Sequence, residues 1–390
     1  MNKAISSAAV ATNHGIIKGD SRYLSLDVLR GLTIALMIVV NSPGDWGSVY
    51  EPLKHAAWHG FTLTDLVFPT FLFVVGNAMS FSQGKLQHLT ERVFIKKVAT
   101  RTIVIFSIGF LLNAFPFVYW PEEGVIRLID FRYVRIMGVL QRIALCYFIA
   151  SIVIRYLSVR RSILFAVIVL FGYWALAYFG GYQPLQYSLE GNTSRRVDDI
   201  IFLDRNLYHG FGIPFDPEGL LSTLPAVVNV IAGYFTGLFI QRQLSPRRTF
   251  FKLIVAGCLL ISAASLWNPF FPINKPIWTS SYVVYTLGWD MLITAFLIVI
   301  IEVAGLRKWT YFFEVFGKNP LFIYAISGPL LHLMGLIKVG GLSVSSLVYE
   351  QLFAGWLQAK DASLLFALSY MVLLWIIAFL MHLYRVYIKV

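Results

Sequence analysis

Apolar residues recur in runs long enough to cross a bilayer, at roughly 24–42, 63–83, 97–115, 136–157, 162–180, 220–241, 250–267, 282–303, 316–335 and 363–387. Runs of about 18 residues or more predict transmembrane helices, because a helix satisfies its own backbone polar groups where no water is present. The shorter stretch 344–357 predicts an interfacial or re-entrant helix. The expected fold is all-α: a polytopic membrane bundle of about ten spans. Residues 1–22 are expected to form a cytosolic N-terminal tail and 23–390 a single transmembrane domain. The first 20 residues lack the apolar core of a signal peptide, and the first span carries Asp27 and Arg30, so no cleavage is expected. No internal repeat is visible, which leaves an inverted-repeat transporter neither supported nor excluded.

Composition agrees with the pattern. Apolar and aromatic residues make up 58% of the chain and charged ones 13%, with a mean hydropathy of +0.70; an ordinary soluble domain has about 45–50% and about 25%. The net charge of +12 would suggest nucleic acid in a soluble protein, but here the bases lie between apolar spans. With both termini in the cytosol, the Lys and Arg residues outside the spans fall about two to one on the cytosolic side, as the positive-inside rule requires. Loops 43–62, 181–219, 268–281 and 335–362 then face the periplasm or a lumen, and the membrane implied is the inner membrane of a bacterium. Cys146 and Cys258 both fall inside spans and predict neither a disulfide framework nor a metal site.

Ionisable groups within spans are costly unless paired or hydrated, so each is a functional candidate. They are Asp27, Arg30, Asp65, Arg142, Asp290, Glu302, His332 and His382. Asp27 and Arg30 are three apart on one helix face, which also suits a self-paired anchor. Glu302 and His382 read as interfacial. Asp290 and Arg142 have no opposite charge one turn away and need partners from other helices.

The densest chemistry lies where spans one and two meet the outer face. Span one ends in Asn41-Ser42-Pro43, and the segment Lys54 to Pro69 holds His55, Trp58, His59 and Asp65. A neutral His is a general base near pH 7. Asn41 can donate to an oxyanion or hold the imidazole tautomer, and Asp65 can orient the ring or a substrate ammonium. The alternative is that His55 sits at the headgroup level while Asp65 caps span two through Thr62 or Thr64. His55 and His59 have the spacing of a helical metal pair, but no third ligand accompanies them and no metal is expected.

Through these residues the sequence resembles the bacterial relatives of the lysosomal heparan-α-glucosaminide N-acetyltransferase, within the transmembrane acyltransferases. The resemblance runs through Ser25 to Gly31 (SLDVLRG), His55 to Gly76 (HAAWHGFTLTDLVFPTFLFVVG), Gly138 to Ile143 (GVLQRI), Asp216 to Pro225 (DPEGLLSTLP), Pro272 to Thr279 (PINKPIWT) and Gly317 to Pro320 (GKNP). It implies transfer of acetyl from cytosolic acetyl-coenzyme A to the amine of a terminal glucosamine across the membrane, with His55 catalytic and Asn41 its partner. Two departures stand out: the resemblance starts at about residue 22 and is not expected to take in the large N-terminal lumenal region of the lysosomal enzyme, and His59 stands where that enzyme has Asn.

If a pantetheine arm threads the bundle, cations should mark its phosphate end and His55 its acetyl end. Arg30 and Arg142, the latter beside Gln141, are the intramembrane cations expected to reach coenzyme A from the cytosolic side. Trp58, His59, Asn274 and Lys275 are expected to meet the acceptor. Arg30 precedes Asn41 by eleven residues, about 16 Å of helix, comparable to a pantetheine arm. The competing functions are an amino-sugar permease and an acyltransferase acting on another periplasmic glycan. Expected partners are the small-molecule or glycan-end acceptor and membrane lipid, with a homodimer left open and no nucleic acid.

Overall fold

The structure is a computed structural model that describes residues 23–119 and 127–388; the tail expected at 1–22 lies outside the described residues. Every predicted apolar run is helical. The helices are α1 (Leu24–Asn41), α2 (Leu63–Gln87), α3 (Glu91–Ala114), α4 (Val139–Tyr156), α5 (Val159–Gly180), the short α6 (Thr193–Ile201), α7 (Thr223–Arg242), α8 (Pro246–Trp267) and α9 (Ser280–Ile298). After a π-helical turn at Val299–Val303 come α10 (Thr310–Lys318), α11 (Pro320–Leu336), the short α12 (Val344–Tyr349) with its own π turn at Glu350–Ala354, and α13 (Ala359–Leu383). Among the described residues, eight helices are long and apolar enough to cross a membrane, and α10 with α11 form a ninth segment bent by 85°. The chain is a polytopic helical membrane protein.

Two departures from the ten predicted spans have local causes. The run at 316–335 breaks at Asn319-Pro320, because proline lacks an N–H and its ring disfavours helical geometry in the residue before it. Asn319 fixes the break: its Nδ2 donates to the Val386 carbonyl at 2.9 Å and its Oδ1 accepts from Ile388 N at 2.9 Å. The run at 97–115 is the later part of α3, which begins at Glu91 and carries Arg92, Lys96, Lys97 and Arg101 in its first half. This helix is not among the eight. The expected interfacial helix at 344–357 corresponds to α12 and its π turn.

The helices differ sharply in burial. Of the membrane-spanning part of α2, 83% is buried within the protein, against 17% for α5 and 22% for α8. Hence α2 is an interior helix, and α5 and α8 face lipid. The crossing of α2 with α7 is unusually close: a Cβ on Gly76 would overlap the Val230 carbonyl oxygen, and one on Gly233 would overlap that of Phe73. Reciprocal small residues let the two backbones touch, the usual solution where lipid is as apolar as the side chains. Gly31 of α1 lies in the same way against the Phe313 carbonyl of α10.

Replacing either glycine of the α2–α7 crossing should separate the helices. We expect Gly76→Leu and Gly233→Leu each to cost about 1–3 kcal/mol or more of stability, visible as a fall in unfolding temperature in detergent. Gly172→Ala, in α5 where an added Cβ meets nothing within 4 Å, should be neutral or slightly stabilising. Equal behaviour of the three variants would contradict the close crossing.

Candidate active site

The site is built around the first turn of α2. Asp65 is 1% exposed and stands where the helix N-terminus favours negative charge. Its Oδ2 accepts from the backbone N–H groups of Ala56 and Thr62, each at 3.1 Å, and its Oδ1 lies 2.7 Å from His55 Nδ1. A carboxylate so engaged only accepts, so Nδ1 carries the proton and the free lone pair of His55 is on Nε2. Asp65 is thus both helix cap and histidine orienter, the two roles that the sequence left as alternatives. The Tyr282 hydroxyl of α9 donates to the Asp65 carbonyl at 2.6 Å and locks the turn from behind.

The imidazole, 53% exposed at its side chain, borders a cavity of about 460 Å³ between α1, α2, α3 and α11. Asn41, Thr64, Glu218, Lys275 and His332 line it too. Asn41 Nδ2 gives one hydrogen to the Met37 carbonyl at 2.9 Å, which leaves its second N–H and its amide oxygen for a guest in the cavity. The Lys275 ammonium lies 3.1 Å from His55 Nδ1 and 3.4 Å from Nε2, with Asp65 Oδ1 at 3.7 Å. Near-equal distances to both ring nitrogens put it against the ring face, off the Nε2 lone-pair direction. Burial pulls the Lys275 ammonium below the ordinary lysine value, opposed by the Asp65 and Glu218 charges.

Lys275 is delivered by a strained turn. Trp278, 1% exposed, has a φ of +51°, unusual for a bulky residue. Its N–H donates to the Lys275 carbonyl at 2.9 Å, its indole Nε1 to Asn229 Oδ1 at 3.2 Å, and the Arg142 guanidinium lies 4.7 Å from its ring centroid. The Asp216-Pro217-Glu218-Gly219 segment supplies the acidic side. Arg135 holds the Asp216 carboxylate through both oxygens and also bonds Glu218. Although burial works against the Arg135 charge, these two carboxylates raise it above the ordinary arginine value.

Residues 22–268 match the family described as heparan-alpha-glucosaminide N-acetyltransferase, catalytic. The chain belongs to that family. It is 25% identical over 360 residues to the heparan-alpha-glucosaminide N-acetyltransferase of Homo sapiens and 24% identical over 357 residues to that of Mus musculus. These matches cover 78% of this chain but 52% and 53% of the two relatives, so the chain spans about half the length of the curated relatives it matches. The family match includes Asn41, His55, Asp65, Arg142 and Glu218 and stops short of Lys275.

Of the other residues expected at the site, several lie elsewhere. Arg142 is not beside Arg30 at the far end of the bundle: in the first turn of α4 it bonds the Gly219 carbonyl and the Ser222 hydroxyl, next to the cavity acid Glu218. Helix α4 starts at the His55 end, which puts Arg142 against the Trp278 turn and not at the end of the bundle that holds Arg30. Gln141 also turns inward and donates to the Ile136 carbonyl at 3.0 Å. Arg30 pairs with Asp27 at 3.3 Å, the self-paired arrangement. Trp58 Nε1 donates to the Tyr187 carbonyl at 2.8 Å, and its ring meets Phe211 and Phe215 edge-on. Asn274 is wholly buried and donates to the Trp58 carbonyl at 2.9 Å, with His59 Nδ1 at 3.3 Å. Trp58, His59 and Asn274 therefore brace the loops around the site, and of the four expected acceptor contacts Lys275 alone borders the cavity. His55 and His59 face different partners.

Glu218 is the cavity residue that sequence reasoning passed over. Two acids two residues apart in one loop were the available signal, but their cation, Arg135, lies more than 80 residues away. A third buried acid backs the same segment. Asp198 of α6 accepts from Leu220 N at 2.9 Å through Oδ1, and its Oδ2 is without a partner among the described residues. Burial pushes its carboxyl up to about 7 from an ordinary 3.8. The folded protein therefore holds this proton more tightly than the unfolded chain, and stability falls as pH rises from about 4 to about 7. Asp198→Asn removes that ionisation. We expect the variant to gain on the wild type above pH 7, on the order of 2–4 kcal/mol, and to match it near pH 4. Unfolding temperatures across that range in detergent provide the check, and a pH-independent difference would contradict a buried titrating Asp198.

Proposed function

We propose that the protein is a transmembrane N-acetyltransferase that moves acetyl from acetyl-coenzyme A to the amine of a glucosamine or related hexosamine. The observation that carries this reading is the His55–Asp65 pair, whose imidazole borders a cavity also lined by an amide, an ammonium and a carboxylate. The amine nitrogen attacks the thioester carbonyl carbon; a C–N bond forms, the C–S bond breaks, and the thiolate leaves with coenzyme A. Nε2 of His55 takes the proton that the nitrogen gives up. The Asn41 N–H and the Lys275 ammonium are the donors available to the developing oxyanion. Glu218 offers the acceptor ammonium a counter-charge before it is deprotonated.

The excess of Lys and Arg at the end of the bundle opposite His55 supports entry of the donor from the cytosol and an acceptor on the periplasmic side of a bacterial inner membrane, with both termini cytosolic. A cytosolic donor then needs a slim arm to cross part of the bundle, and the cavity provides space beside α11 from His332 down to Tyr324.

Detergent-purified protein has no compartment to transport across, so transfer of labelled acetyl from acetyl-coenzyme A to glucosamine tests the reading directly. Its absence, together with sugar uptake by proteoliposomes, would replace the enzyme with a permease. His55→Ala should lower turnover by roughly 10²–10⁴-fold in a protein that still folds, with a modest fall in unfolding temperature because buried Asp65 loses one of its partners. Asn41→Ala should lower kcat on the order of 100-fold; an effect confined to the acceptor KM would make Asn41 a sugar-binding residue instead.

A further inference from the structure

A second recess lies on the lipid-facing side of the bundle, away from the catalytic cavity. It has a volume of about 510 Å³ and runs between α5 and α8, which pack on α7 and α9 respectively, so that α7 and α9 form its floor. Ala166 and Val167 of α5, Ala232 and Phe235 of α7 and Ala256 and Leu260 of α8 are typical of its apolar walls. The one charged group on the wall is Lys252, at the end remote from His55. Its ammonium lies 3.3 Å from Gln243 Oε1 and 5.5 Å from the centre of the Phe239 ring.

The charge around that mouth is predominantly positive. Arg160 and Arg161 at the start of α5, Arg242 at the end of α7, and Arg247 and Arg248 at the start of α8 are all exposed, as is Lys252. None of the six has a carboxylate partner among the described residues. Across 155–189 and 219–303, the stretches that contain the walls and the turn packed on α8, the carboxylates are Asp290, wholly buried and bonded by Thr70 at 2.6 Å, and Glu302, which pairs with Arg307 at 3.3 Å and accepts from Ser25 N at 3.2 Å. An apolar slot opening toward hydrocarbon, capped by unopposed cations at headgroup depth, is complementary to a molecule with a long apolar tail and an anionic head. Basic pockets between transmembrane helices take acidic lipid headgroups on the same grounds.

We infer that this groove binds one anionic phospholipid, with an acyl chain lying between α5 and α8 and its phosphate at Lys252 and the neighbouring arginines. The slot accommodates the chain because small side chains at Ala166, Ala232 and Ala256 leave the space, and the phosphate supplies the counter-charge that the protein does not. The site is distinct from the cavity at His55, and the inference does not depend on the acetyltransferase reading.

The test uses lipid-depleted full-length protein in an uncharged detergent, titrated with phosphatidylglycerol, phosphatidylcholine or soluble glycerol phosphate and followed by native mass spectrometry and thermal unfolding. One phosphatidylglycerol per chain should remain bound, and it should raise the unfolding temperature more than phosphatidylcholine does. Lys252→Gln should weaken phosphatidylglycerol about fivefold, the loss of one surface cation. Ala256→Phe, which fills the slot, should abolish the adduct; if that variant does not fold, the Lys252→Gln comparison between the two lipids decides alone. Equal binding of the two lipids, equal stabilisation by glycerol phosphate, or an Ala256→Phe variant that keeps its lipid would overturn the proposal. So would conversion of a dimer to a monomer by Ala256→Phe, which would make the groove a contact between copies. Loss of coenzyme A binding in Lys252→Gln with lipid binding intact would reassign the cations to the donor and overturn it as well.

Discussion

The arrangement of the whole site depends on one buried carboxylate. Asp65 sits in the first turn of the most enclosed helix, and it collects the imidazole of His55 and the N–H groups of Ala56 and Thr62 at once. Burying a carboxylate is expensive unless its lone pairs are filled. Filling them is what gives the 55–62 loop its shape. The same bonds hold the proton on Nδ1, so the base that faces the cavity and the cap that starts α2 are a single structure. Disturbing one disturbs the other.

That structure is useful only because α2 cannot shift. The reciprocal glycines at its crossing with α7 bring the two backbones into contact, and Tyr282 of α9 pins its first turn through the Asp65 carbonyl. The Trp278 turn is fastened to the same elements: its indole bonds Asn229 of α7, its ring packs edge-on against Phe68 of α2, and the Arg142 guanidinium of α4 lies against it. Strain at φ +51° persists where the surroundings over-determine it. Here it is spent on bringing Lys275 against His55, 220 residues earlier in the chain.

Charge is distributed by end. Near His55, cations and anions interlock: Lys275 with Asp65, and Arg135 with Asp216 and Glu218. At the opposite end, Arg160, Arg161, Arg242, Arg247 and Arg248 have no such partners among the described residues. The first pattern suits a site that handles a charged substrate in a partly desolvated cavity. The second suits a surface that meets acidic lipid.

Hydropathy along the chain determined where the helices are, because a span in hydrocarbon must satisfy its backbone alone and shows this within about twenty residues. It also made His55 and Asp65 legible as partners, since ten residues separate them and the loop between is short. The break between α10 and α11 is equally local, written in Asn319-Pro320 inside an apolar run that hydropathy alone shows as continuous. Which helix end each buried charge occupies, and which distant residue meets it, was decided by the tertiary structure. Arg142 is the plainest case: its place in the apolar run identified a costly buried cation, but only the packing of α4 against the Gly219–Ser222 segment and Trp278 put it beside the turn that carries Lys275. Glu218 and Arg135 were hidden for the same reason, and Lys275, legible as a candidate, was not legible as a neighbour of His55. Periodicity and hydropathy are properties of a stretch of chain, whereas a cavity is made by side chains that meet only after the helices have chosen their neighbours.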